Sequence, residues 1–135
     1  MRSVAGLLLC FFAPLALALS FAQGSAPKHE ATTMSLECKT GDCPLLRGMP
    51  QTAGLRSGYV RLEPGKSVGW HTTGQNEEVL VILHGRGEAR IEGAVGMPLA
   101  EYMLAYIPPA TRHNVTNTGA ELLEYIYIVA PAAEK

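Results

Sequence analysis

Two histidines and one glutamate carry the chemistry for which this sequence can be read. His71 stands in GKSVGWHTTG, Glu78 opens EVLVIL seven residues later, and His113 opens HNVTN behind the Pro108-Pro109 pair. In an extended strand alternate residues share a face, so His71 and Thr73 point one way while Trp70 and Thr72 point the other. By the same rule Glu78 shares its face with Leu80 and Ile82. A hairpin joining these segments brings His71 and Glu78 together, and a third strand can add His113. Two imidazoles and one carboxylate gathered on one interior face suit a divalent transition metal with open coordination positions for water or substrate. The competing reading is a hydrogen bond between His71 and Glu78 with no metal.

The elements that must position these groups are strands. After Gly54 the chain alternates short apolar runs with Gly and Pro about every ten residues, and no segment has helical periodicity. The pattern predicts strands over 57–62, 67–73, 78–83, 87–92, 99–107, 112–117 and 122–129. Pro64-Gly65, Gly85-Arg86-Gly87, Pro108-Pro109 and Thr118-Gly119 supply the reversals between them. EVLVIL and LLEYIYIV are apolar on both faces, which calls for cover on both sides, as in a sandwich or a small closed barrel.

Both segments resemble the paired motifs of the cupin superfamily, and the likeness runs from about Arg56 to Val129. The first motif reads Gly, five residues, His-x-His, three or four residues, Glu, six residues, Gly; Gly65, His71, Glu78 and Gly85 fall in that register. The second reads Gly, five residues, Pro-x-Gly, two residues, His, three residues, Asn; Pro108, His113 and Asn117 fit it. Thr73 stands where the family has its second metal histidine, and Tyr102 and Ala110 replace the two glycines of the second motif. The resemblance implies an all-β, jelly-roll-like antiparallel barrel over residues 54–135. It further implies Fe, Mn, Ni or Zn held by His71, Glu78 and His113, with Thr73 reduced to hydrogen-bonding a metal-bound water. It also implies pairing as a homodimer. Cupins include oxygenases, isomerases, decarboxylases and sugar-binding modules, so the expectation is a metal-dependent oxygenase or isomerase of a small oxygen-rich molecule, or a non-catalytic small-ligand barrel.

Other polar residues have plainer readings. Strand parity turns Glu77 outward. His84 is six residues from Glu78, about 20 Å along a strand, so it belongs to the far turn. Arg61, Arg90 and Arg112 would recognise a carboxylate or phosphate only if one of them pointed inward.

Residues 1–22 read as a signal peptide: Arg2, an apolar run over 4–19, then Ser20 and Ala22 at the small-residue positions. The run contains Pro14 and falls short of the ~20 apolar residues needed to span a bilayer, so no anchor is expected after cleavage. The protein is therefore expected to be secreted or periplasmic. Residues 23–53 read as a polar arm and an irregular lead-in with at most one short strand. Cys38 and Cys43 within it suit a local disulfide better than a redox or metal pair, since four residues separate them and Cys10 lies in the apolar run. Eleven basic against twelve acidic residues leave no basic stripe for nucleic acid.

Overall fold

In the computed structural model, which describes residues 29–132, eight strands and no helix are found. The signal-peptide reading of residues 1–22 lies outside the described residues. The strands are β1 (Gly41–Arg47), β2 (Arg56–Leu62), β3 (Asn76–His84), β4 (Arg86–Ile91), β5 (Met97–Ala100), β6 (Leu104–Ile107), β7 (His113–Asn117) and β8 (Leu123–Pro131). They form a five-stranded sheet in the order β1-β2-β8-β3-β6 and a three-stranded sheet in the order β5-β4-β7, all antiparallel.

The inward residues of both sheets make one core. Val60 and Leu62 of β2, Leu80 and Ile82 of β3, Val115 of β7 and Leu123 of β8 are all buried. Burial alternates along β3, with Glu78, Leu80 and Ile82 buried and the residues between them only partly so. The period of two thus turns Glu78 inward and Glu77 outward, as parity predicts.

Three segments differ from the sequence-based expectation. Residues 67–73 are not a regular strand: only Ser67 and His71 form isolated bridges, to Thr116 and His113. The cause is Gly69, whose φ of 89° takes the chain out of the extended region, while the Asn114 side chain accepts its N–H at 3.0 Å. The expected 99–107 strand is two strands, because the chain turns at residues 101–103 and passes from the small sheet to the large one. Ahead of residue 54, the lead-in carries a seven-residue strand, β1, that pairs with β2 and bulges between Pro44 and Leu46.

The two glycines missing from the second motif leave a mark on the backbone. Tyr102 and Ala110, with φ of 62° and 58°, are the non-glycine residues with positive φ among the described residues. The turns kept the left-handed geometry although the side chains changed, at a cost of roughly 1–2 kcal/mol for each L-residue placed there. Tyr102 is 92% exposed, so its ring contributes little packing to set against this. Tyr102→Gly is therefore expected to stabilise the fold by about 0.5–1 kcal/mol, after allowing for the greater freedom of glycine in the unfolded chain. Urea unfolding measures this directly, and an unchanged or lowered midpoint would show that the turn is not strained. Gly85, by contrast, has no freedom to change, since a Cβ there would collide with the Leu122 carbonyl oxygen.

Candidate metal centre

Each of the three side chains is delivered by a different element. His71 comes from the bridged segment before β3, Glu78 from the third position of β3, and His113 from the first position of β7. His71 and His113 exchange both backbone hydrogen bonds at 2.9 Å, which sets their rings side by side with centroids 4.3 Å apart. One ligand atom from each of His71, Glu78 and His113 lies within 4.8 Å of the others.

The imidazoles are oriented by the backbone. Nδ1 of His71 lies 2.9 Å from the Gly69 carbonyl, and Nδ1 of His113 lies 3.0 Å from the Thr111 carbonyl. A carbonyl only accepts, so each Nδ1 carries a proton, and in the neutral ring each Nε2 presents a lone pair. His113 is fully buried and Glu78 is 5% exposed. His113 Nε2 and Glu78 Oε2 stand 3.2 Å apart, yet neither makes a hydrogen bond of acceptable geometry. Burial lowers the basicity of His113, but the Glu78 carboxylate and the Thr111 carbonyl outweigh it and hold the pKa above the ordinary histidine value. Buried polar atoms without partners are costly and uncommon. A divalent cation between Nε2 and Oε2, with His71 as the third ligand, would satisfy both, so the donor set fits a metal.

A cavity of about 620 Å³ opens beside this cluster, with His71 and Glu78 on its wall. Tyr125 and Tyr127 of β8 also line it. The Tyr127 ring lies across β2, in space that a Cβ at Gly58 would invade at 2.5 Å, so glycine at 58 positions the tyrosine. Burial and the nearby Asp42 carboxylate push the Tyr127 hydroxyl up to about 12. Burial, with Glu78 and Asp42 adding to it, raises the Tyr125 hydroxyl further still.

The buried Tyr125 ties stability to alkaline pH. Its pKa is higher in the folded than in the unfolded chain, so above pH 10 the unfolded state gives up a proton that the native state keeps, and stability falls as pH rises. Each pH unit above 10 should cost about 1.4 kcal/mol through this residue. Urea unfolding should show Tyr125→Phe losing about 1.4 kcal/mol less stability than the wild type between pH 9 and 11; equal losses would mean that Tyr125 ionises freely in the fold.

Residues 58–129 match the family described as the Cupin domain, which is more than half of the chain. The chain belongs to the cupin family. Among curated proteins it is similar to a polyketide synthase CurC of Streptomyces cyaneus, 30% identical over 89 residues, or 64% of this chain. The matched region is 57% of that relative's length. Among solved structures, a double-stranded β-helix protein of Klebsiella pneumoniae is similar at 19% identity, covering 78% of this cupin and 100% of that chain with a TM-score of 0.63. A cupin 2 conserved barrel protein of Salinispora arenicola is similar at 23% identity, covering 78% and 91% with a TM-score of 0.59. A cupin protein of Bacteroides fragilis is similar at 22% identity, covering 77% and 86% with a TM-score of 0.62. At such identities these structures speak for the fold alone.

The remaining motif residues of this cupin find structural work. Thr73 lines the cavity, but its hydroxyl donates to the Asn76 carbonyl at 3.0 Å, closing the turn into β3. Asn117 is buried; its amide donates to the carbonyls of Leu62 at 2.8 Å and Glu121 at 2.7 Å, tying β2 to the turn before β8. His84 lies at the other end of β3, 2.6 Å from Glu101 and 3.5 Å from Glu121, away from the His71, Glu78 and His113 cluster. Arg61, Arg90 and Arg112 pair with Glu124, Glu88 and Glu92. Besides Glu78, the charged groups that line the cavity, Asp42, Arg47 and Arg56, were not singled out from the sequence. They come from β1 and the start of β2, and only the cross-strand register reveals them.

Proposed function

We propose that this cupin is an exported metalloprotein that holds Fe, Mn, Ni or Zn on His71, Glu78 and His113 and uses it to oxidise or isomerise a small oxygen-rich organic molecule. The observation that carries this reading is the buried, unpartnered pair Glu78 Oε2 and His113 Nε2, facing His71 at the wall of a cavity. A bound divalent metal would supply Lewis acidity and open positions for substrate and for dioxygen or water. The protein's own part is orientation and enclosure. The Gly69 and Thr111 carbonyls fix the two imidazole tautomers. Tyr125 and Tyr127 stay protonated; the Tyr127 hydroxyl donates to Asp42, which leaves the Tyr125 hydroxyl to donate to an oxygen of the ligand. The Thr73 hydroxyl has spent its proton on Asn76, so toward a metal-bound water it would act as acceptor.

Export is supported by the leader-like residues 1–22 and by the Cys38–Cys43 disulfide, a bond at home in oxidising compartments. Homodimer formation is supported by the outer face of the large sheet. Leu104 and Tyr106 of the edge strand β6 are 65% and 50% exposed, and they adjoin Val81 and Val79, then Ile126 and Ile128. Metal analysis of protein purified from its native compartment tests the central claim: one equivalent of a single transition metal supports it. A folded, metal-free protein that still binds a small neutral ligand would replace it with the non-catalytic reading.

A further inference from the structure

The part of the cavity wall that lies outside the family match bears on what the site would take. The match begins at residue 58, whereas β1 and Arg56 precede it and both face the cavity. In the sheet register Arg47 stands opposite Arg56, Arg56 opposite Val129, and Val129 opposite Glu78. Directly opposed residues of antiparallel strands point to the same face, so Arg56 shares the inner face with the metal carboxylate, two strands or about 10 Å away.

Two like charges placed opposite each other in a sheet destabilise it. Arg61, Arg90 and Arg112 each have a carboxylate within 2.9 Å, but Arg47 and Arg56 have none among the described residues. The glycine at 48 keeps clear the stem of Arg56, whose Cγ would lie 3.3 Å from a Cβ there. Asp42, the other acid of this wall, is set beside Tyr127. Among the described residues the cavity therefore has a cationic mouth without a paired carboxylate and, about 10 Å along the same row, a centre suited to metal-bound oxygen ligands.

We propose that the cavity binds a small carboxylic acid, its carboxylate gripped by Arg56 and Arg47 at the mouth and its remaining oxygens turned toward His71, Glu78 and His113. This rests on the metal reading for its inner end and on the arginines alone for its outer end. Guanidinium matches a carboxylate bidentately, and a backbone of about three to six carbons spans the row. Phosphate would meet the same arginines, but it is too short to reach the inner end of the row, about 10 Å from Arg56.

The test is calorimetric titration of the full chain, metal-free and loaded with Ni(II), using malonate, succinate, glutarate, their diamides and inorganic phosphate. Metal content is measured before and after each titration. At least one dicarboxylate should bind about tenfold or more tighter than its diamide, and Arg56→Gln should lose about tenfold, as charge-assisted hydrogen bonds predict. Arg56→Lys should recover only part of that loss, because lysine lacks the planar fork. The proposal is overturned if diamides bind equally well, if Arg56→Gln leaves affinity unchanged, or if phosphate binds tighter than every dicarboxylate. A chain that takes up no metal sinks the metalloprotein reading instead, and the metal-free titrations still decide the arginine grip: tenfold dependence on Arg56 upholds it, independence overturns it.

Discussion

His113→Ala is expected to lower divalent-metal affinity by more than about a hundredfold while leaving the barrel folded. Groups that only hydrogen-bond to a metal's ligands are already worth roughly 10–100-fold, and His113 offers a ligand atom itself. Its removal also leaves Glu78 buried without the group that now stands 3.2 Å away. The fold should survive, because His113 opens a strand whose pairing with β4 and whose 2.9 Å bridge to His71 are both made by backbone atoms. Titration with Ni(II) or Zn(II) against a competing chelator gives the affinities. Thermal unfolding gives an independent readout, since a ligand at a hundred times its dissociation constant stabilises a protein by about 2.7 kcal/mol. The wild type should show that gain and the variant should not. His84→Ala serves as control: its imidazole sits with Glu101 and Glu121 at the other end of β3, so metal uptake should be untouched. Equal uptake by His113→Ala and wild type would mean that the site lies elsewhere.

The grouping of His71, Glu78 and His113 was legible because its information is local. Strand parity separates Glu78 from Glu77, and the spacing from His71 to Glu78 and from Pro108 to Asn117 needs no knowledge of the rest of the fold. Parity failed at residues 67–73 because it assumes an extended chain, and Gly69 with its φ of 89° leaves that region. The absent glycines at 102 and 110 were visible as substitutions, but a sequence does not tell whether the turn changes shape or the side chain bears the strain; here the backbone stayed left-handed. The cavity's charged groups were out of reach for a different reason. Whether Arg56 or Arg61 faces inward depends on which β8 residue it opposes, and pairings such as Arg56 with Val129 or Arg61 with Glu124 join positions far apart in the chain. Arg61, named from the sequence, lies between the inward Val60 and Leu62 and so faces outward, where it pairs with Glu124.

The residue on which the chemistry of this cupin turns is Thr73, and Thr73→His is expected to raise metal affinity by at least about tenfold, since a directly bound imidazole should be worth no less than an outer-shell partner. The position already lines the cavity next to His71, so an imidazole there starts on the correct wall. What opposes it is the turn. The Thr73 hydroxyl donates to the Asn76 carbonyl, and the Asn76 amide returns a hydrogen bond of 2.7 Å to the Thr73 carbonyl. Only the first bond depends on the threonine side chain, so the metal-free variant should lose about 1 kcal/mol, the usual net contribution of one hydrogen bond. The two effects separate experimentally: denaturation of the metal-free protein reads the turn, and chelator competition reads the site. Tighter metal binding with a slightly weaker fold would mean that threonine leaves one coordination position open for a ligand. Unchanged metal binding with the same loss of stability would mean that position 73 is held away by its turn, and that the wild-type residue serves the backbone alone. A fourth protein ligand also occupies a position that substrate would otherwise take. If the cavity binds carboxylates through the metal, Thr73→His should therefore hold metal more tightly and the carboxylate more weakly, a pair of opposite changes that a purely structural threonine would not produce.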